Sequence, residues 1–102
     1  MNLTDQQKRK LRGYAHGMKP VLWLGAEGAS QAVLAELETA LDHHELIKVK
    51  LAVGGREAKS QVAAELCGQT GAELIQSIGN IILILRRTQK PDPKLSNLIR
   101  PQ

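Results

Sequence analysis

The run Ile81-Ile82-Leu83-Ile84-Leu85 is apolar at every position, and it constrains the fold more than any other stretch of the chain. A strand with one wet face alternates apolar and polar residues, whereas a strand without alternation has to be covered on both faces. This strand is therefore expected in the middle of a sheet, with packing against both faces at least locally. Gly79-Asn80 stands immediately before it, a two-residue turn with glycine first, as a type II′ hairpin needs. Residues 73–78 and 81–87 thus read as the two arms of a hairpin.

The other elements follow from capping and periodicity. Thr4-x-x-Gln7 has the form of a capping box and starts a first helix at Asp5. On that helix Leu11, Tyr14 and Ala15 fall on one side and Lys8, Arg9 and Arg12 on the other, with Gly17 as C-cap and Pro20 blocking continuation. A short strand over 21–24 runs into Gly25-Ala26-Glu27-Gly28. Ser30 then caps a second helix, whose Val33, Leu34, Leu37 and Leu41 recur at helical spacing and which ends at His43-His44-Glu45. Residues 46–53 alternate, with Ile47, Val49, Leu51 and Val53 on one face and Lys48 and Lys50 on a face that reaches water. After Gly54-Gly55 a third helix spans 56–70, with Ala58, Val62 and Leu66 as its buried stripe, Cys67 as a small packing residue and Gly71 as C-cap.

The order helix, strand, helix, strand, helix, strand, strand implies one compact α/β domain over 1–87 with a mixed four-stranded sheet. Its strand–helix–strand units are right-handed if their strands lie parallel. From Thr88 onward Pro91, Pro93 and Pro101 sit among polar residues, which reads as a flexible, weakly basic tail over 88–102. There is no internal repeat. The length of 102 residues suits one core rather than two.

The formal charge of +4 points mildly to an anionic partner, and its placement says more than its size. Lys8, Arg9, Lys10, Arg12 and Lys19 crowd the first 24 residues against Asp5 alone, while residues 30–45 hold Glu36, Glu38, Asp42 and Glu45 with no Lys or Arg. Cys67 is the sole cysteine, so no internal disulfide can form and a reducing compartment is expected. The N-terminus has no apolar signal region and no run approaches a membrane span, so a cytoplasmic protein without membrane association is expected.

Enzyme readings find little support. The chain has no His-x-x-x-His or Cys-x-x-Cys spacing for a metal, and neither phosphate-binding glycine motif of the common nucleotide-binding folds. Neighbouring histidines 43 and 44 point in different directions on a helix and do not make a ligand pair. No cofactor is expected. Nucleic-acid binding fares better. A binder that stacks bases on its sheet wants several aromatics, and this chain offers at most Trp23, which Leu22 and Leu24 on either side could draw into the core. The remaining possibility is a backbone clamp. Gly25-x-x-Gly28 precedes a helix start, where free backbone N–H groups and the helix dipole favour a phosphate, and glycines let a ligand backbone approach. That is the logic of the KH-type loop.

Taken together, Leu11-x-x-x-Ala15-His16-x-x-Lys19-Pro20-Val21, Gly25-x-x-Gly28, Leu41-x-x-His44-Glu45-Leu46-Ile47-Lys48-Val49-Lys50, Thr70-Gly71-Ala72 and Ile78-Gly79-Asn80 before an apolar strand ending at Arg86 resemble the CRM domain. More closely, they resemble its stand-alone bacterial YhbY-like form, over nearly the whole chain to residue 87. The resemblance implies an RNA-binding domain related in fold to the C-terminal domain of translation initiation factor three. It also implies a non-catalytic factor that associates with precursors of the large ribosomal subunit and assists assembly. Carried over by position, Gly25, Ala26, Glu27 and Gly28 would form the RNA-contacting loop. Lys8, Arg9, Arg12, Lys19, Lys48, Lys50, Arg56 and Arg86 are the candidate phosphate partners around it. Two positions depart from the family pattern: Glu27 brings a negative charge into the loop, and Leu85 stands where a tyrosine often precedes the arginine of the last strand. An alternative is a protein-interaction module whose acidic second helix docks a ribosomal or assembly protein, and a third is a small phosphometabolite enzyme using the same loop. Nothing demands more than a monomer.

Overall fold

The computed structural model describes residues 4–25 and 30–88. In chain order these form α1 (Asp5–Tyr14), a short 3₁₀ turn (Ala15–Gly17), β1 (Pro20–Leu24), α2 (Gln31–His44), β2 (Leu46–Leu51), α3 (Arg56–Thr70), β3 (Glu73–Ile78) and β4 (Ile81–Leu85). The tail expected over 88–102 lies outside the described residues except for Thr88, whose backbone N–H donates to Glu45 Oε2 at 2.8 Å.

Local chemistry sets the ends of these elements. The N-terminus of α1 carries both halves of the capping box. The Gln7 N–H donates to Thr4 Oγ1 at 3.1 Å, and the Thr4 N–H donates to Gln7 Oε1 at 2.9 Å. Ser30 Oγ accepts from the Val33 N–H at 3.2 Å and caps α2. Between β3 and β4, Gly79 takes a positive φ of 57° and Asn80 does not, the pattern of a II′ turn.

The four strands lie in the order β1-β2-β4-β3, with β1 parallel to β2 and the other two pairings antiparallel. The unalternating strand β4 is interior, as its composition demands. Ile82 and Ile84 point into one apolar cluster with Leu37 and Leu41 of α2 and Ala63 and Leu66 of α3. Leu83 and Leu85 point into a second cluster, on the other face, with Leu11 of α1, Ala15 and Met18. The crossovers β1-α2-β2 and β2-α3-β3 step across the sheet in the same sense and leave both helices on one face, as a shared hand requires.

Three expectations need correction. The buried residues of α3 are Ala63, Leu66 and Thr70, with Val62 only partly covered and Ala58 half-buried. The stripe is rotated because α3 crosses the sheet beside α2, and Thr70 goes inward by donating its hydroxyl to Leu66 O at 2.7 Å. Strand β2 stops at Leu51 rather than Val53, its last ladder bonds running from the Leu51 N–H to Asn80 O and from the Ala52 N–H to Leu24 O, both at 2.6 Å. Strand β4 stops at Leu85 rather than Arg87: the Arg86 N–H still donates in register to Glu45 O at 2.9 Å, but Glu45 takes a φ of 61° and turns the partner strand out of the sheet.

Candidate nucleic-acid interface

Strand β1 buries Leu22 and Leu24 beneath α2, so the alternation of side chains turns Trp23 to the opposite face of the sheet. There it is 67% exposed, which closes the possibility that it belongs to the core. Pairing registers place it in a single row that crosses all four strands: Trp23 opposite Lys50, Lys50 opposite Ile81, and Ile81 opposite Ile78. Ile78 is 63% exposed. A bulge between Leu74 and Gln76 in β3 lets buried Ile75 and its neighbour Gln76 share this face, and so keeps Ile78 in the row.

Helix α1 covers only the distant half of the same face, packing Leu11 onto Ile75, Leu83 and Leu85. Between helix and row runs a groove of about 630 Å³. Arg9, Arg12 and His16 line its helix side, Lys48 stands on the strand side, and Ile81 and Leu83 belong to its floor. Lys48 Nζ donates to Met18 O at 3.1 Å, which fastens β2 to the segment leading into β1. Lys50 Nζ sits 4.5 Å from the centroid of the Trp23 ring, a cation–π contact worth about 0.5–1 kcal/mol at an exposed site. The face thus combines cations, an open aromatic ring and apolar floor.

The structure sorts the sequence candidates by position. Arg9, Arg12 and Lys48 meet at the groove, and Lys50 joins Trp23 in the open row. Gly25 follows directly from Leu24, and β2 runs parallel to β1, so Arg56 in the first turn of α3 follows β2 at the same end of the sheet. Lys8 is half-buried on α1 outside the groove lining, and Lys19 is exposed at the opposite end of β1. Ala26, Glu27 and Gly28 lie outside the described residues.

Arg86 departs from the expected set. Its Nη1 donates to Glu38 Oε2 at 2.7 Å and to Thr70 O at 2.8 Å, and its Nη2 to Asp42 Oδ1 at 2.8 Å and Glu38 O at 3.3 Å. Leu85 pairs with Leu46, the first residue of β2, so this guanidinium stands at the end of the sheet away from Gly25 and is already neutralised by two carboxylates. The same bridge occupies much of the acidic side of α2, leaving Glu36 exposed without a part in it. Trp23, His16 and Ile78 are the residues that the candidate set lacked. The period-two pattern around Leu22 and Leu24 carried the signal for Trp23, whereas nothing local marks His16 or Ile78. No group of three or more potential metal-ligating side chains occurs among the described residues, and none of their helices is long and apolar enough to cross a membrane.

Known proteins resemble this chain over most of its length. A probable RNA-binding protein of Pseudomonas aeruginosa is 46% identical over 100 residues, which cover 98% of this chain and 96% of the relative. An RNA-binding protein of Haemophilus influenzae is 43% identical over 88 residues, covering 86% and 89%. Among solved structures, the solution structure of a Staphylococcus aureus protein described as a candidate RNA binder superposes with a TM-score of 0.76 at 34% identity, over 87% of this chain and 93% of that one. The model of the CRS1 / YhbY (CRM) domain matches residues 3–86, and with relatives this similar across almost their full lengths, the chain belongs to the CRS1/YhbY (CRM) family.

Proposed function

We propose that this protein binds RNA as a non-enzymatic factor of the cytoplasm, associating with precursors of the large ribosomal subunit and assisting their assembly. It grips the RNA backbone through the loop of residues 25–28 and the cations beside it. One observation carries the RNA reading. Arg9, Arg12, Lys48 and Lys50 gather on one open sheet face, while Glu38 and Asp42 are tied to Arg86 behind the sheet. Such a one-sided distribution suits a polyanion, because it gains charge pairing without an opposing acidic surface. The names of the relatives support RNA as that polyanion, and the ribosomal assignment rests on the family resemblance.

The test is a double substitution, Gly25→Asp with Gly28→Asp. A Cβ built at Gly25 meets nothing within 4 Å, and its φ is not positive, so that substitution leaves the fold intact. The added carboxylates repel phosphate from the loop. The expected result is a folded protein whose affinity for ribosomal RNA falls at least about tenfold, and which leaves the large-subunit precursor fractions of a sucrose gradient. Unchanged RNA affinity in the folded variant would refute the role of the loop. A wild-type protein that stays at the top of the gradient at low and moderate salt would refute the ribosomal assignment.

A further inference from the structure

Resting on the RNA reading above, we propose that the row Trp23–Lys50–Ile81–Ile78 is a stacking platform for unpaired bases, so that the RNA engaged by this face is single-stranded. The platform is distinct from the loop of residues 25–28, which addresses phosphates. It is transverse, one side chain from each strand, and its two outer members are largely open to solvent. Its width, across four strands at about 4.8 Å spacing, is enough for more than one stacked base.

The chemistry of the row and its surroundings selects the occupant. An apolar surface of this kind could accept any flat or greasy partner, but the cations around it select for negative charge. Lys50 stands within the row, Lys48 lies one row back, and Arg9 and Arg12 line the groove wall. Unpaired RNA offers both properties in the same repeat, a π-face for the indole and a phosphate for the cations. Duplex RNA buries its base faces by stacking within the helix and cannot use the indole. The ammonium of Lys50 now rests on the Trp23 ring. A base arriving there displaces it, and the released ammonium is left beside the nucleotide's own phosphate, so the cation–π contact holds the ring ready rather than blocking it.

Trp23 is the only tryptophan in the chain, which makes the proposal directly readable. Intrinsic fluorescence of the full-length protein is followed during titration with a short single-stranded RNA of mixed sequence, the same sequence as a duplex, and an abasic sugar–phosphate strand of equal length. Anisotropy of labelled copies reports binding independently. The expected result is quenching by the single strand only, with the abasic strand binding more weakly and leaving the emission unchanged. Trp23→Ala is expected to weaken single-strand binding by about 5- to 160-fold, the range for removing the aromatic partner of one stacked base, and Trp23→Phe to restore most of it. Because the ring is exposed, both variants should keep the wild-type circular dichroism and melting midpoint.

Binding of the single strand without quenching, or an unaltered affinity in Trp23→Ala, overturns the platform while leaving RNA binding in place. Equal affinity for single strand and duplex does the same. Failure of every RNA to bind overturns the platform together with the reading beneath it. A concentration-dependent dimer that shields Trp23 from acrylamide, seen by sedimentation, would assign the row to a second copy of the chain instead.

Discussion

Arg86 ends the central strand with a guanidinium that reaches α2 and α3 at once. The Thr70 carbonyl it binds belongs to the last residue of α3, a helix with no basic residue in its final turn, so Arg86 supplies from another element the donor that such an end lacks. Arg86→Ala is expected to lower stability by about 1–3 kcal/mol in urea denaturation, from lost hydrogen bonds to charged groups discounted for the partial exposure of both carboxylates. RNA affinity should stay within about twofold of wild type, since the clamp lies behind the sheet. Glu45 is a second such residue. It is buried, takes a φ of 61° at the end of α2, and receives the N–H groups of Arg86 and Thr88 on its carbonyl and carboxylate. Glu45 therefore serves the joint between α2, β2 and β4, whereas Lys48 and Lys50 of the same family-like segment stand on the open sheet face. Cys67 is a partly buried free cysteine on α3. Burial, and secondarily the charge of Glu73, raise its thiol pKa above the ordinary value. The folded protein thus holds the thiol proton longer than the unfolded chain, so the stability linked to Cys67 is complete at neutral pH and declines as the pH climbs through the alkaline range where the unfolded thiol ionises. Cys67→Ala should flatten that alkaline decline in a series of melts.

At the scale of elements, β4 does two jobs. Its Ile84 is fully buried between β2 and β3 and beneath the helices, whereas its hairpin partner strand ends in exposed Ile78. Ile84→Ala is expected to cost about 2–5 kcal/mol, the range for a large-to-small change in a packed core, and Ile78→Ala about 0.5 kcal/mol or less, as a surface change. Paired urea midpoints check both. The hairpin and the interior placement of β4 were legible from a run of five apolar residues and a glycine-first turn. The buried stripe of α3 was less legible, because Ala58 and Ala63 are identical in hydrophobicity and Thr70 is polar, so only the packing of the helix against the sheet and α2 chooses among them.

Among the described residues, α2 and α3 pack on one face of the sheet and α1 on part of the other. The cations stand beside α1 on that second face. Their contribution is electrostatic and shows itself in salt: the logarithm of RNA affinity should fall linearly with the logarithm of salt concentration, at about 0.7 per phosphate paired on a single strand. Arg9→Gln and Arg12→Gln should each reduce that slope by about the same amount, measured by anisotropy over a salt series. Lys19→Gln, at the far end of β1, should leave it nearly unchanged.

Properties that depend on near neighbours along the chain are legible in the sequence. They include the capping box of α1, the Ser30 cap, the hairpin turn, the alternation of β2 and the central place of β4. Each follows from backbone chemistry or from a period of two or 3.6 residues, which a linear reading can follow. The tertiary structure alone decided which distant groups meet. It drew Arg86 from a prospective phosphate contact into a clamp with Glu38 and Asp42, and set Trp23, Lys50, Ile81 and Ile78 in one row. It also opened the basic groove beneath α1. Register, bulge position and helix crossing place these contacts, and all three arise when separate elements compete to bury apolar surface against one another, a balance that no local segment carries.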